Sequence, residues 1–146
     1  MRSIQYISIV CLTLLMIVSC KKETASAAPS IKLVGVSSTS LLQFKDSLVI
    51  TLEYSDVNGD IGEDDPDKND LYIKDRRLTN ADYYFVKPLA PPSSNIKISG
   101  TIAVQIKNTF LLGTGNSEIT QFDIKLKDRA GNWSNTVNTP EITINK

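Results

Sequence analysis

The densest chemistry in this chain lies in residues 56–67, D-V-N-G-D-I-G-E-D-D-P-D. They hold Asp56, Asp60, Glu63, Asp64, Asp65 and Asp67 with no base among them. That is six of the chain's 16 acids, a local concentration that calls for a cation or a structural reason. Oxygen-bearing side chains fall at alternate positions 56, 58 and 60, and again at 63, 64, 65 and 67. Calcium takes about six to eight oxygens at about 2.3–2.6 Å, and a glycine-relieved loop can converge them. The candidate metal ligands are therefore Asp56, Asn58, Asp60, Asp64 and Asp67, with calcium as the possible cofactor. Asp128 and Asn132 can join them if their turn lies at the same end of the molecule. The EF-hand pattern puts a glycine directly after its third ligand, whereas here Ile61 stands there and Gly62 follows. The alternative is a solvated loop whose acids keep a sheet edge soluble, with Lys68, Lys74, Arg76 and Arg77 close behind to neutralise it.

A second group is aromatic. Tyr83, Tyr84 and Phe85, with Tyr72 nearby, form a cluster, and Trp133 sits in a polar turn. Exposed Tyr or Trp can stack on a sugar or anchor a protein partner, which makes Trp133, Tyr83 and Tyr84 candidate binding residues. The competing expectation is that they pack the core and an edge strand. Other chemistries are excluded by composition. The chain has no His, the commonest general base and metal ligand near neutral pH. Its two Cys, Cys11 and Cys20, fall within the first 20 residues, so residues 31–146 hold no disulfide, thiol nucleophile or Cys/His zinc site. Lys+Arg and Asp+Glu are both 16, without a basic stripe interleaved with aromatics, so no nucleic-acid partner is expected. A glycosidase needs two carboxylates facing across a cleft, and these acids lie on one loop. The expectation is a non-enzyme.

The elements that must position these residues read as strands. Leu48, Ile50, Leu52 and Tyr54 alternate with polar or weaker positions, as do Ile96, Ile98, Ile102, Val104 and Ile106. Phe122, Ile124 and Leu126, and then Ile142 and Ile144, continue the same period of two. Residues 31–36, 70–76 and 82–87 complete about seven strands, separated by stretches rich in Gly, Pro, Asn and Asp. Alternation of one apolar and one wet face, with no amphipathic helical window, predicts an all-β antiparallel sandwich over residues 31–146.

Upstream of it, Arg2 precedes an apolar run from Ile7 to Val18, suited to an export signal and short for a membrane span. Ile17-Val18-Ser19-Cys20 resembles the lipobox of bacterial lipoproteins, and S-C-K-K-E resembles the mature start of Bacteroidetes lipoproteins. The resemblance implies a signal peptide at 1–19, lipidation of Cys20, membrane anchoring through it, and outer-membrane localisation facing either the periplasm or the surface. Residues 20–30 then form a short flexible tether. Asp128, Ala130, Gly131 and Asn132, in D-R-A-G-N, resemble the turn of the closing hairpin in bacterial immunoglobulin-like domains. That likeness implies an immunoglobulin-like sandwich. The expected function is a lipid-anchored, non-catalytic binding or structural module of the cell envelope, meeting a protein or a glycan. The alternatives are a calcium-dependent adhesion or glycan-binding module using the acidic loop, and a small carbohydrate-active enzyme.

Overall fold

The structure, a computed structural model, describes residues 28–146 except Pro92 and Ser94. The proposed signal peptide at 1–19, Cys20, and tether residues 21–27 lie outside the described residues. Among the described residues ten strands are present, against about seven expected. They are β1 (Ser30–Val36), β2 (Ser40–Leu42), β3 (Leu48–Asp56), β4 (Leu71–Asp75), β5 (Asp82–Tyr84), β6 (Ile98–Ile106), β7 (Ser117–Thr120), β8 (Phe122–Leu126), β9 (Val137–Asn138) and β10 (Ile142–Asn145). The three additional strands, β2, β7 and β9, have only two to four residues each, too few for alternation to stand out.

The architecture is an all-β sandwich. One layer has the order β1-β3-β6 and is antiparallel throughout. The other layer is built from β5-β4-β8-β9 and β2-β10-β7. These two sheets run into one another, because β7 and β8 are separated only by Gln121, and β9 and β10 by residues 139–141. All pairings are antiparallel except that of β2 with β10, which is parallel.

The period-two pattern explains the core. Leu48, Ile50, Leu52 and Tyr54 of β3 point between the layers, and meet Leu71, Ile73, Phe122, Ile124 and Leu126 from the opposite one. Fully burying one such aliphatic side chain contributes about 1.5–3 kcal/mol. Gly100 interrupts the apolar face of β6 for a steric reason. A Cβ there would stand 2.8 Å from the Tyr54 hydroxyl, so the glycine makes room for that ring. Ile96 departs from its expected place: it precedes β6 and is 55% exposed.

The D-R-A-G-N segment is a turn between antiparallel strands. The Gly131 amide donates to the Asp128 carbonyl at 3.0 Å, and Gly131 takes a φ of 91°. Asn132 needs no left-handed backbone. Its amide and side-chain nitrogen instead donate to the two Asp128 carboxylate oxygens, at 2.7 and 2.9 Å.

Candidate functional site

The acidic loop folds into two parts with different surroundings. Its inner part is a structural plug. Asp56, at the end of β3, is 1% exposed and accepts hydrogen bonds from the amides of Asn58 (3.3 Å) and Asp60 (2.8 Å). This is the local side-chain-to-backbone bonding by which Asp stabilises turns. Ile61 is fully buried in the core and bridges to Asp128 across an isolated β-contact. The Ile61 carbonyl accepts from Leu89, and the Glu63 amide donates to the Val86 carbonyl. Gly59 and Gly62 both have positive φ, and a Cβ on Gly62 would stand 2.3 Å from the Lys87 carbonyl oxygen. The glycines therefore serve backbone-to-backbone packing.

The outer part is wet. Asp64, Asp65 and Asp67 are exposed, with the Asp67 amide bonded to the Asp65 carboxylate. The expected ligand set is thus divided: Asp56 lies inside, Asn58 and Asp60 are half-buried, and Asp64 and Asp67 stand in solvent. Among the described residues, no group of three or more Asp, Glu, His or Cys side chains is placed to hold a metal ion. Of the four bases expected to neutralise the loop, Lys68 pairs with Glu63 at 3.4 Å, whereas Arg76 and Arg77 pair with Asp123, Asp75 and Glu118 elsewhere.

The turn carrying Asp128 does lie at the same end. The Arg129 amide donates to the Asp60 carbonyl, and the Arg129 guanidinium to the Gly62 carbonyl. Burial pushes the Asp60 carboxyl above its ordinary value, and the charges of Asp128 and Asp56 push it further. Its Oδ1 is buried, with no hydrogen-bond partner among the described residues. A second acid, Asp70, is fully buried with neither carboxylate oxygen hydrogen-bonded among the described residues, and burial raises its pKa. Lys127 Nζ stands 3.4 Å away and partly offsets this. Nothing in the local sequence marks Asp70 as buried, because it sits at the end of a polar run.

The aromatic candidates divide as well. β4 alternates Leu71 and Ile73 inward with Tyr72 outward, and β8 alternates Ile124 and Leu126 inward with Lys125 outward. Register then aligns Tyr83, Tyr72 and Lys125 across β5, β4 and β8 on the outer face. Trp133 joins them through its bridge to Lys127. The rings of Tyr72 and Tyr83 meet edge-on at 5.6 Å between centroids, and Trp133 lies 6.3 Å from Tyr72 and 6.5 Å from Tyr83. Lys125 Nζ sits 4.5 Å from the Tyr72 ring centroid and 5.1 Å from that of Trp133, and Lys127 Nζ 5.4 Å from Trp133. Such cation–π contacts contribute about 0.5–1 kcal/mol each at exposed sites.

The result is one cationic aromatic face built from four chain segments. Tyr84 is not part of it. Its register partner is inward-facing Leu71, and it turns to a groove on the opposite side of its strand. Sequence spacing marked Trp133 and Tyr83 but not Lys125 and Lys127, whose place depends on the β4–β8 register. No family model, curated protein or solved structure matches this chain.

Proposed function

We propose that the chain is a non-catalytic binding module of the bacterial cell envelope. It is exported by residues 1–19, anchored in the outer membrane by lipid on Cys20, and carried on the 20–30 tether. The sandwich that follows is, in this reading, immunoglobulin-like, on the strength of its D-R-A-G-N turn and its strand pattern. The observation that carries the binding role is the outer face of Tyr72, Tyr83 and Trp133, with Lys125 and Lys127 over the rings. Aromatic faces and fixed cations together suit a glycan or protein partner that offers sugar rings, aliphatic edges and acidic groups.

Trp133 is the single Trp of the chain, so its fluorescence reports on this face without labelling. A ligand from a glycan or envelope-protein panel is expected to shift that emission, and to bind at least tenfold more weakly to Trp133→Ala. A ligand held by Trp133→Ala and Tyr83→Ala as tightly as by the wild type removes this face from the function. The anchor is tested separately: Cys20→Ser is expected to release the protein from the membrane fraction, and retention there argues against lipidation.

A second reading, calcium dependence, is favoured by one observation. The unpartnered Oδ1 of Asp60 lies in a neighbourhood made electronegative by Asp56 and Asp128. A melting temperature that does not move between millimolar calcium and chelator ends that reading.

A further inference from the structure

The two edges of the β1-β3-β6 layer are built differently. β1 carries Lys32 and a register shift between Leu33 and Gly35, two of the devices by which proteins blunt a sheet edge. β6 has neither. It runs nine residues, I-S-G-T-I-A-V-Q-I, without a charge or a proline, and pairs with β3 in unbroken register from Ile98 to Ile106. Among the described residues, no backbone hydrogen bond joins β6 to anything but β3. Alternate N–H and C=O groups along roughly 30 Å of strand therefore face outward unpaired.

Beside this edge the layer is too narrow for its partner. Three strands face an opposite layer that extends out to β5 and residues 85–89. The space where a fourth strand would lie is an open groove of about 360 Å³, whose apolar wall includes Ile102 and Val104 of β6 and Leu71, Val86 and Leu89 opposite. Among the described residues, Lys87 is the one charged residue lining it. Residues 87–89 and 96–98 both pack on the turn at 59–62, which puts Lys87 and Lys97 at the Ile98 end of the groove. Asp82 lies at the other end, lining a small cavity with Ile106.

We propose that β6 and this groove accept an extended strand from a partner polypeptide. The strand adds to the sheet through its backbone and lays alternate apolar side chains between the layers. Complementarity to the rim sets its charges: uncharged along the middle, with carboxylates at the end that meets Lys87 and Lys97. A second copy of the chain fits less well in the symmetric arrangement, because antiparallel pairing of two β6 strands about Ile102 would set Lys97 against Lys107 of the other copy. This surface is separate from the aromatic face and does not depend on it.

The test uses the full chain in detergent micelles with two synthetic peptides of alternating Thr and Val. One ends in two Asp, the other in two Lys. The acidic peptide is expected to bind at least tenfold tighter and to slow amide hydrogen exchange within 98–106. Lys87→Glu, at an exposed position, is expected to reverse that preference while leaving the melting temperature unchanged. Val104→Asp is expected to abolish binding, and because it risks the core, the Lys87 variant carries the decision. Three results overturn the proposal: binding of neither peptide at 1 mM, binding without protection of 98–106, or a peptide-free dimer by sedimentation protected at 98–106. The last would make a second copy the occupant.

Discussion

Replacing Asp60 by Asn is expected to stabilise this protein at neutral pH, although it removes a charge from the most acidic segment of the chain. Asp60 lies near two carboxylates that are each only 1% exposed, Asp56 and Asp128, and its own Oδ1 has no donor. Its backbone does the visible structural work, with the amide bonded to Asp56 and the carbonyl accepting from Arg129. Asn preserves both contacts and the side-chain shape. A charge pair near a surface is worth about 0.2–1 kcal/mol after solvent screening. Relief of two such repulsions therefore amounts to about 1 kcal/mol, or about 3–6 °C in melting temperature for a domain of this size.

The pH dependence follows from the direction of the shift. Asp60 binds its proton more tightly in the folded state, so the folded state carries no penalty below the ordinary value of 3.8. The penalty grows as pH rises through the raised folded-state value. The advantage of the variant should thus be near zero around pH 3 and full at pH 7. Thermal unfolding of both proteins with chelator across that range measures it. In millimolar calcium the order reverses if the cluster takes the ion, since only the wild type keeps a charged carboxylate ligand at this position. A variant no more stable than wild type at pH 7 in chelator would refute the electrostatic reasoning and give the Asp60 carboxylate a structural role.

The two glycines of the turns should respond unequally. Gly62→Ala combines a φ of 87° with a Cβ 2.3 Å from the Lys87 carbonyl, and should cost about 3 kcal/mol or more in denaturant unfolding. Gly131→Ala has a similar φ of 91° but open space around the new methyl, so about 1–2 kcal/mol is expected. Arg77→Ala should cost about 2–3 kcal/mol at pH 7, because the half-buried guanidinium joins Asp75, Glu118 and the Phe110 carbonyl. Burial raises the Asp75 carboxyl, but hydrogen bonds from Arg77 and Thr120 outweigh it and hold the group below 3.8. That stability is present above the ordinary value and lost as pH falls through the folded one, so the gap between wild type and variant should narrow in urea titrations at low pH.

Much of the fold was legible because a strand's side chains alternate. The parity of residues 48–54 and 122–126 predicted which of them are buried, since one face of each strand must leave water. Strands of two to four residues escaped, being shorter than two periods of that signal. Composition also drew attention to the 56–67 loop, and D-R-A-G-N to a turn. Sequence counting could not divide the loop's acids between the buried Asp56 and the exposed Asp64 and Asp67. Burial there is decided by Ile61 seating in the core and by Gly62 pressing against Lys87, both contacts with distant segments. Asp128 came to rest beside Asp60 for the same reason. Lys125 joined Tyr72 only because antiparallel register sets position 72 opposite 125, and a shift of one residue would have put it inside. The undefended edge of β6 depends on strand order alone, for the same nine residues in the middle of a sheet would have both sides paired. Local chemistry is written in side chains, but neighbours across a sheet are chosen by the whole chain's effort to bury its apolar faces together.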